Sequence, residues 1–331
     1  MELYLFRHSD WEAKYNCGYH SEEFWKSEGN VNIPLGYWYM VTGVIYMIPY
    51  IPCLIVMLKQ DLFKNSCYKI MFFLGLIDFV TLGINAVLTG FLTIKGAVTC
   101  IYPNLIYIAG SVGMSLWCMA CLTCVILAFN RCVDLWQPKW MWTLFSDKKT
   151  YLWLCLPIMY FFYFLLFTTP VLYTSKAYAW FFDPYYGTPD IAVDRYQYMN
   201  PSHSTNNIVV VIVLPMLYVF LCGSLWYKAR NAHSATVSTL QKQILIQSCS
   251  ICAFNLIASI IYVLMQFVPS GVLVVVVGQL TWQASHGGAA IVYLTLNRTI
   301  RHRVLELITV GHWKTSRIHV TGTDNSHHFV L

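Results

Sequence analysis

Few residues in this chain can do chemistry, and most of those sit in apolar surroundings. Gly96–Asn130 contains no Asp, Glu, Lys or Arg; Arg131 then follows directly after an Asn, with Asp134 three residues on. On a helix that spacing brings the carboxylate within reach of the guanidinium. Asp78 is an acid inside another long apolar run, and Ser285, His286 and Asn297 are its candidate partners. Catalysis would need a nucleophile with its base, or a His/Glu metal cluster, at one depth, and the sequence offers neither. Cys118, Cys121 and Cys124 recur every three residues, but in an apolar helix they read as small packing side chains rather than metal ligands. Val272–Leu296 has no lysine to carry a Schiff base. The reading is therefore a chain that is not an enzyme and holds no cofactor or metal, with isolated charges placed in an apolar medium.

Composition says what that medium is. Hydrophobic residues make up 57% of the 331 and charged residues 11%, against about 25% charged in an ordinary soluble domain. The apolar residues cluster in seven windows: Tyr37–Leu58, Tyr68–Phe91, Pro103–Asn130, Tyr151–Tyr173, Asn207–Tyr227, Ile244–Phe267 and Val272–Leu296. Each approaches the roughly 20 residues that cross a hydrocarbon core, and lipid leaves the backbone no partner outside a helix. The expected fold is an all-α membrane protein, a seven-transmembrane helix bundle in a lipid bilayer, with Arg131 where the third span leaves the membrane. Basic residues flanking spans stay in the cytoplasm. With the N-terminus outside, 15 Lys and Arg fall in cytoplasmic segments and 6 outside, while nine of fifteen acids fall outside. The net charge of +6 is thus a topology signal and not a nucleic-acid patch.

Three segments follow: an extracellular N-terminal tail at 1–36, the membrane domain at 37–296 and a cytoplasmic amphipathic helix with tail at 297–331. Leu3–Phe6 is too short for the apolar core of a signal peptide. In Arg298–Ile308, the residues Ile300, Val304, Leu307 and Ile308 share one helical face bordered by Arg301 and Arg303, the pattern of a short eighth helix on the inner leaflet. Of twelve cysteines only Cys17 and Cys100 fall on the oxidising side, an even pair that reads as one disulfide, with free thiols or bridges between chains as the alternatives. Pro103, favoured in a first helical turn, puts Cys100 just before the third span. A bridge to Cys17 would draw the tail, with Trp25, across the mouth of the bundle.

Asn-Arg-Cys at 130–132 stands where G-protein-coupled receptors usually carry Asp-Arg-Tyr. The strings "YNC" (15–17), "IPYIPCL" (48–54), "SCYKIMFFLGLID" (66–78), "TGFLTIKGAVTCIYP" (89–103), "WCMACLTCVILAFNRC" (117–132), "QSCSICAFNLIASIIYVLMQF" (247–267) and "WQASHGGAAIVYLTLNRTIR" (282–301) together resemble the class T nematode serpentine chemoreceptors, the Srt family. They occur in order from about Tyr15 to Arg303. The wider rhodopsin-like pattern is broken in places: the seventh span lacks Asn-Pro-x-x-Tyr, the sixth has its Pro just outside as Pro269, and no cysteine lies in Thr174–Asn206.

The resemblance implies a receptor for a small external molecule, coupled to a heterotrimeric G protein in the plasma membrane of chemosensory cells. Asn130, Arg131 and Asp134 would then form the G-protein-coupling end, while the competing reading of Arg131 is a snorkelling topology residue. Asp78, about 15 Å deep, would hold a sodium-like polar site with Ser285, His286 and Asn297, or serve as a structural hydrogen-bond node. The ligand pocket would draw on Tyr107, Met114, Trp117, Tyr262, Gln266, Trp282 and Gln283, with the aromatic loop Tyr178–Met199 as a lid or an interfacial apron. Several buried charges and inverted repeats, expected of a transporter, are missing from the sequence; a ligand-gated channel subunit is the alternative that the sequence leaves standing.

Overall fold

Apolar runs that cannot leave their backbone bare become helices, and the caps at their ends are written in the sequence. In a computed structural model, which describes residues 1–136, 143–146, 148–231, 239–267 and 271–318, the first span is Ile33–Met57, the second Ser66–Ile94 and the third Pro103–Trp136. The fourth is Lys149–Phe167, the fifth Pro201–Asn231, the sixth Thr239–Phe267 and the seventh Val272–Leu296. The Asn32 and Asn65 side chains cap the first two, accepting from Leu35 N at 3.1 Å and from Cys67 N at 3.1 Å. Pro103 opens the third span. The third span is the axis, with 78% of its most apolar window buried against 22–28% for the first, fourth and fifth.

Among the described residues, five helices are long and apolar enough to cross a membrane by themselves, and the sixth contributes the apolar stretch Cys249–Met265. The seventh is more polar because it carries Gln279, Gln283, Ser285 and His286, and all four are buried inside the bundle. The second span changes register part-way: Gly83–Leu88 is a π-helical segment, a form that usually marks a functional position.

Several expected boundaries move. The first helix starts at Ile33, inside the stretch read as tail, which itself folds into the short helices Glu2–Phe6, His8–Lys14 and Glu22–Glu28. The third helix continues six residues past the expected Asn130, to Trp136. Tyr173 belongs not to the fourth span but to a β-hairpin, Leu172–Thr174 with Ala179–Phe181, paired Tyr173 to Trp180. An eighth helix, Arg298–Ile318, runs longer than expected. It buries Ile300 and Val304 and packs on the first span, but Ile308 is 51% exposed because the packing ends near Leu307. Pro269 and residues 319–331 of the expected tail lie outside the described residues.

The hairpin is tied down around its edge. Thr93 Oγ1 and the Tyr173 hydroxyl lie 2.7 Å apart, Trp180 Nε1 donates to Thr89 Oγ1 at 2.8 Å, and Ser175 N donates to Ala97 O at 2.8 Å. Gly110 of the third span allows the closest approach: a Cβ there would stand 1.7 Å from the Val171 carbonyl oxygen. Beside the hairpin, Arg195 donates to both oxygens of Asp183 at 2.8 and 3.0 Å, and Lys176 pairs with Glu28.

Cys17 and Cys100 are joined by a disulfide, with Cα atoms 5.4 Å apart. The tail is thereby laid over the third span. Tyr198 donates to Lys14 O at 2.7 Å, Tyr185 to Asn16 O at 2.8 Å and Trp25 Nε1 to Cys17 O at 2.9 Å. Lys14 lies 5.6 and 5.8 Å from the ring centres of Tyr198 and Tyr15, and burial lowers its ammonium below the usual lysine pKa. The bridge closes a loop with a sequence separation of 83. Its removal by Cys17→Ser or Cys100→Ser should cost about 4 kcal/mol of stability in the chain-entropy account, read as a matching fall in melting temperature for either variant and for reduced wild type. Equal melting of reduced and oxidised protein would show that the tail is held by its aromatic contacts alone.

Candidate functional site

Three polar levels lie along the bundle axis. Nearest the hairpin is a cavity of about 90 Å³. Met114 and Trp117 face it from the third span, His203 from the fifth, Tyr262 and Met265 from the sixth and Trp282 from the seventh. Val171, Trp180, Phe181 and Phe182 close it from the hairpin side. Two hydrogen bonds brace this wall. Trp117 Nε1 donates to Asn207 Oδ1 at 2.9 Å, and Asn200 Oδ1 accepts from His203 N at 2.9 Å, fixing the first turn of the fifth helix.

The middle level lies where the second and seventh spans face each other. Gln279 Nε2 and Gln283 Nε2 both donate to the Asn85 carbonyl, at 2.7 and 3.0 Å. Asn85 lies within the π-helical segment, where the shift to i→i+5 pairing frees backbone groups for side-chain partners. Below it, Asp78 Oδ1 sits 2.7 Å from His286 Nδ1, and Tyr50 OH lies 2.8 Å from Asp78 Oδ2 and 2.5 Å from the His286 carbonyl. A phenol has one proton. Both oxygens around Tyr50 are satisfied only if that proton is shared or if Asp78 is protonated at Oδ2. The His286 ring lies 5.8 Å from Trp117 and 6.5 Å from Trp282, so the cavity and the acid are one ring apart.

The third level is the far end. Arg131 is only 8% exposed. An arginine snorkelling to head groups would stand free of the protein; this one faces inward. Its partners are weak: Asp134 at 3.8 Å and the Met71 sulfur at 3.6 Å, with Nε unpaired. Asn130 Nδ2 donates to Ser66 Oγ at 3.0 Å. Gln247 of the sixth span donates to the same Met71 sulfur at 3.6 Å and accepts from Asn297 Nδ2 at 2.7 Å. One glutamine thus joins the second and sixth spans to the junction between the seventh span and the eighth helix.

Sequence-predicted residues divide among these levels. Met114, Trp117, Tyr262 and Trp282 line the cavity. Tyr107 does not; it lies under the tail, its ring 5.6 Å from Tyr4 and 5.1 Å from Tyr15. Gln283 serves the Asn85 carbonyl and Thr42 instead of the cavity. The side chain of Gln266 lies outside the described residues. Of the partners named for Asp78, only His286 reaches it: Ser285 Oγ donates to Trp282 O at 2.8 Å, and Asn297 caps the eighth helix by accepting from Ile300 N at 3.0 Å. Tyr50, Gln247, Asn85 and His203 were missed. The Gln279, Gln283 and His286 spacing, one helical face, was the available signal for the middle level.

A family model of the serpentine type 7TM GPCR chemoreceptor Srt matches residues 1–317. The chain belongs to that family. Serpentine receptor class T-55 of Caenorhabditis elegans is 31% identical over 301 residues, 90% of this chain and 81% of the relative. Squid rhodopsin shares the fold, with a TM-score of 0.61, 12% identity and coverage of 88% of this chain and 90% of its own. At that identity the likeness concerns the seven-transmembrane architecture alone.

In this Srt-family chain the buried Asp78–His286 pair should be more costly to break than to replace, since an orphaned buried charge is worse than none. His286→Ala should destabilise the purified protein by about 3 kcal/mol. Adding Asp78→Asn should recover a measurable part of the loss. Thermal unfolding of the single and double variants in one detergent checks this; additive losses would mean that the two side chains do not depend on each other.

Proposed function

We propose that the protein is a chemosensory receptor of the plasma membrane that takes a small external molecule in the cavity and activates a heterotrimeric G protein at the opposite end. The excess of basic residues in segments on the Arg131 side supports placing that end in the cytoplasm and the tail and hairpin outside. The observation that carries the reading is the state of Arg131: a buried guanidinium held by a long ion pair and a sulfur acceptor, with one donor unpaired. Such a group is kept in place by closure of the helices more than by its own bonds, and parting of the sixth span from the second and third would free it for the carbonyls and carboxylate of a docking G-protein tail.

Asn130 and Asp134 position it in this reading, and Gln247 is the latch that stands where the usual acid–arginine pair is missing. Asp78 acts as a coupling node between cavity and latch rather than as a cation site, because both of its oxygens are already engaged by His286 and Tyr50.

The test needs no ligand. Gln247→Ala should raise basal nucleotide exchange on a co-expressed G-protein α-subunit several-fold by loosening the sixth span. Adding Arg131→Ala should return exchange to the level of cells without receptor, at equal surface expression. Exchange that persists without Arg131 would remove it from the coupling role.

A further inference from the structure

One sulfur atom gathers the contacts at the Arg131 end. Met71, on the second span and 1% exposed, accepts at Sδ from Arg131 Nη2 of the third span and from Gln247 Nε2 of the sixth, each at 3.6 Å. The Cys67 thiol, one turn before it on the same helix, lies 3.5 Å away. Donors carried by different helices thus converge on a single acceptor. Arg131 and Gln247 are themselves buried, so the strength of this acceptor bears on how firmly the helices stay closed. A thioether is a weak acceptor beside an amide or carboxylate oxygen. The nearby carboxylate of Asp134 stands at 3.8 Å from Arg131 Nη1, and the second bond of Gln247 goes to Asn297 and not toward the arginine. The Met71 sulfur is what the arginine and the glutamine share. Leucine would fill nearly the same volume, so what methionine adds at this position is the lone pairs of its sulfur.

We propose that Met71 is a positioning residue for G-protein coupling. Its thioether is the shared acceptor that holds Arg131 and the sixth span together at rest, and the weakness of that acceptor sets how readily this end opens. The inference rests on the reading of Arg131 as the coupling residue. It adds that the resting activity of the receptor is tuned in either direction by acceptor strength at position 71: removing the acceptor loosens the sixth span, and a stronger one tightens it.

Two readouts on the full-length receptor test it: deuterium uptake by backbone amides 244–251 of the sixth span in lipid nanodiscs, and basal nucleotide exchange on a co-expressed G-protein α-subunit. Met71→Leu should raise uptake and basal exchange about threefold to fivefold, the scale of one weak hydrogen bond. Met71→Gln, unbranched like methionine but carrying an amide oxygen, should slow uptake below the wild-type rate and leave exchange no higher than wild type. A residue that acted by packing alone would loosen the helix in both variants. Combining Met71→Leu with Gln247→Ala should raise uptake by less than the product of the single effects, because both remove one contact. Faster uptake in both Met71 variants, wild-type uptake in Met71→Leu, or effects that multiply in full would overturn the proposal. Failure here is separable from failure of the receptor reading. If uptake follows the stated pattern while nucleotide exchange never changes, the role of Met71 in closure stands and the signalling role falls. If the Gln247 and Arg131 variants change exchange as stated while Met71→Leu alters neither readout, the reverse holds.

Discussion

A backbone carbonyl facing the interior of a lipid-embedded bundle is costly unless a donor meets it, and the seating of the seventh span against the second follows from that constraint. The Asn85 carbonyl, in the π-helical segment Gly83–Leu88, accepts from both Gln279 and Gln283. One turn further on, His286 meets Asp78. These three side chains share one face, so satisfying them fixes the rotation of the whole helix. That rotation also turns Trp282 toward the cavity. The polar interior is therefore what aligns the apolar pocket.

The levels differ in how firmly they are made. Near the hairpin the bonds are short and numerous: the Arg195–Asp183 fork, the Trp180–Thr89 contact and the disulfide all tie separate segments together. At the other end Asn130–Ser66 and Asn297–Gln247 are short, but Arg131 itself has only its long contacts to Asp134 and the Met71 sulfur, and Asn130 Oδ1 and Arg131 Nε are unpaired. Regions with few strong contacts are the ones that open first.

What the sequence made legible was whatever local pattern encodes. Apolar runs identify the spans, the isolation of Asp78 points to an interior position, and the sorting of cysteines by compartment leads to Cys17 and Cys100. What it concealed depends on register between distant segments. Gln247 sits in a helical run with nothing to mark it as a joint between helices, and Gln283 looks like a pocket residue until the π-helical shift supplies a carbonyl for it to serve. Tyr107 was placed correctly on its helix but capped by a tail whose path no periodicity announces. The hairpin was hidden because Leu172 and Tyr173 are as apolar as the span before them, and only the return strand Ala179–Phe181 makes them a sheet.

The roof over the cavity is a hairpin fastened to the second span through Thr89 and Thr93 and to the loop after it through Ala97, with the tail clamped beside it by Lys176 and Glu28. A cover pinned at so many points does not swing. No single bond carries the cover, so the loss of any one of them leaves the others to hold it in place.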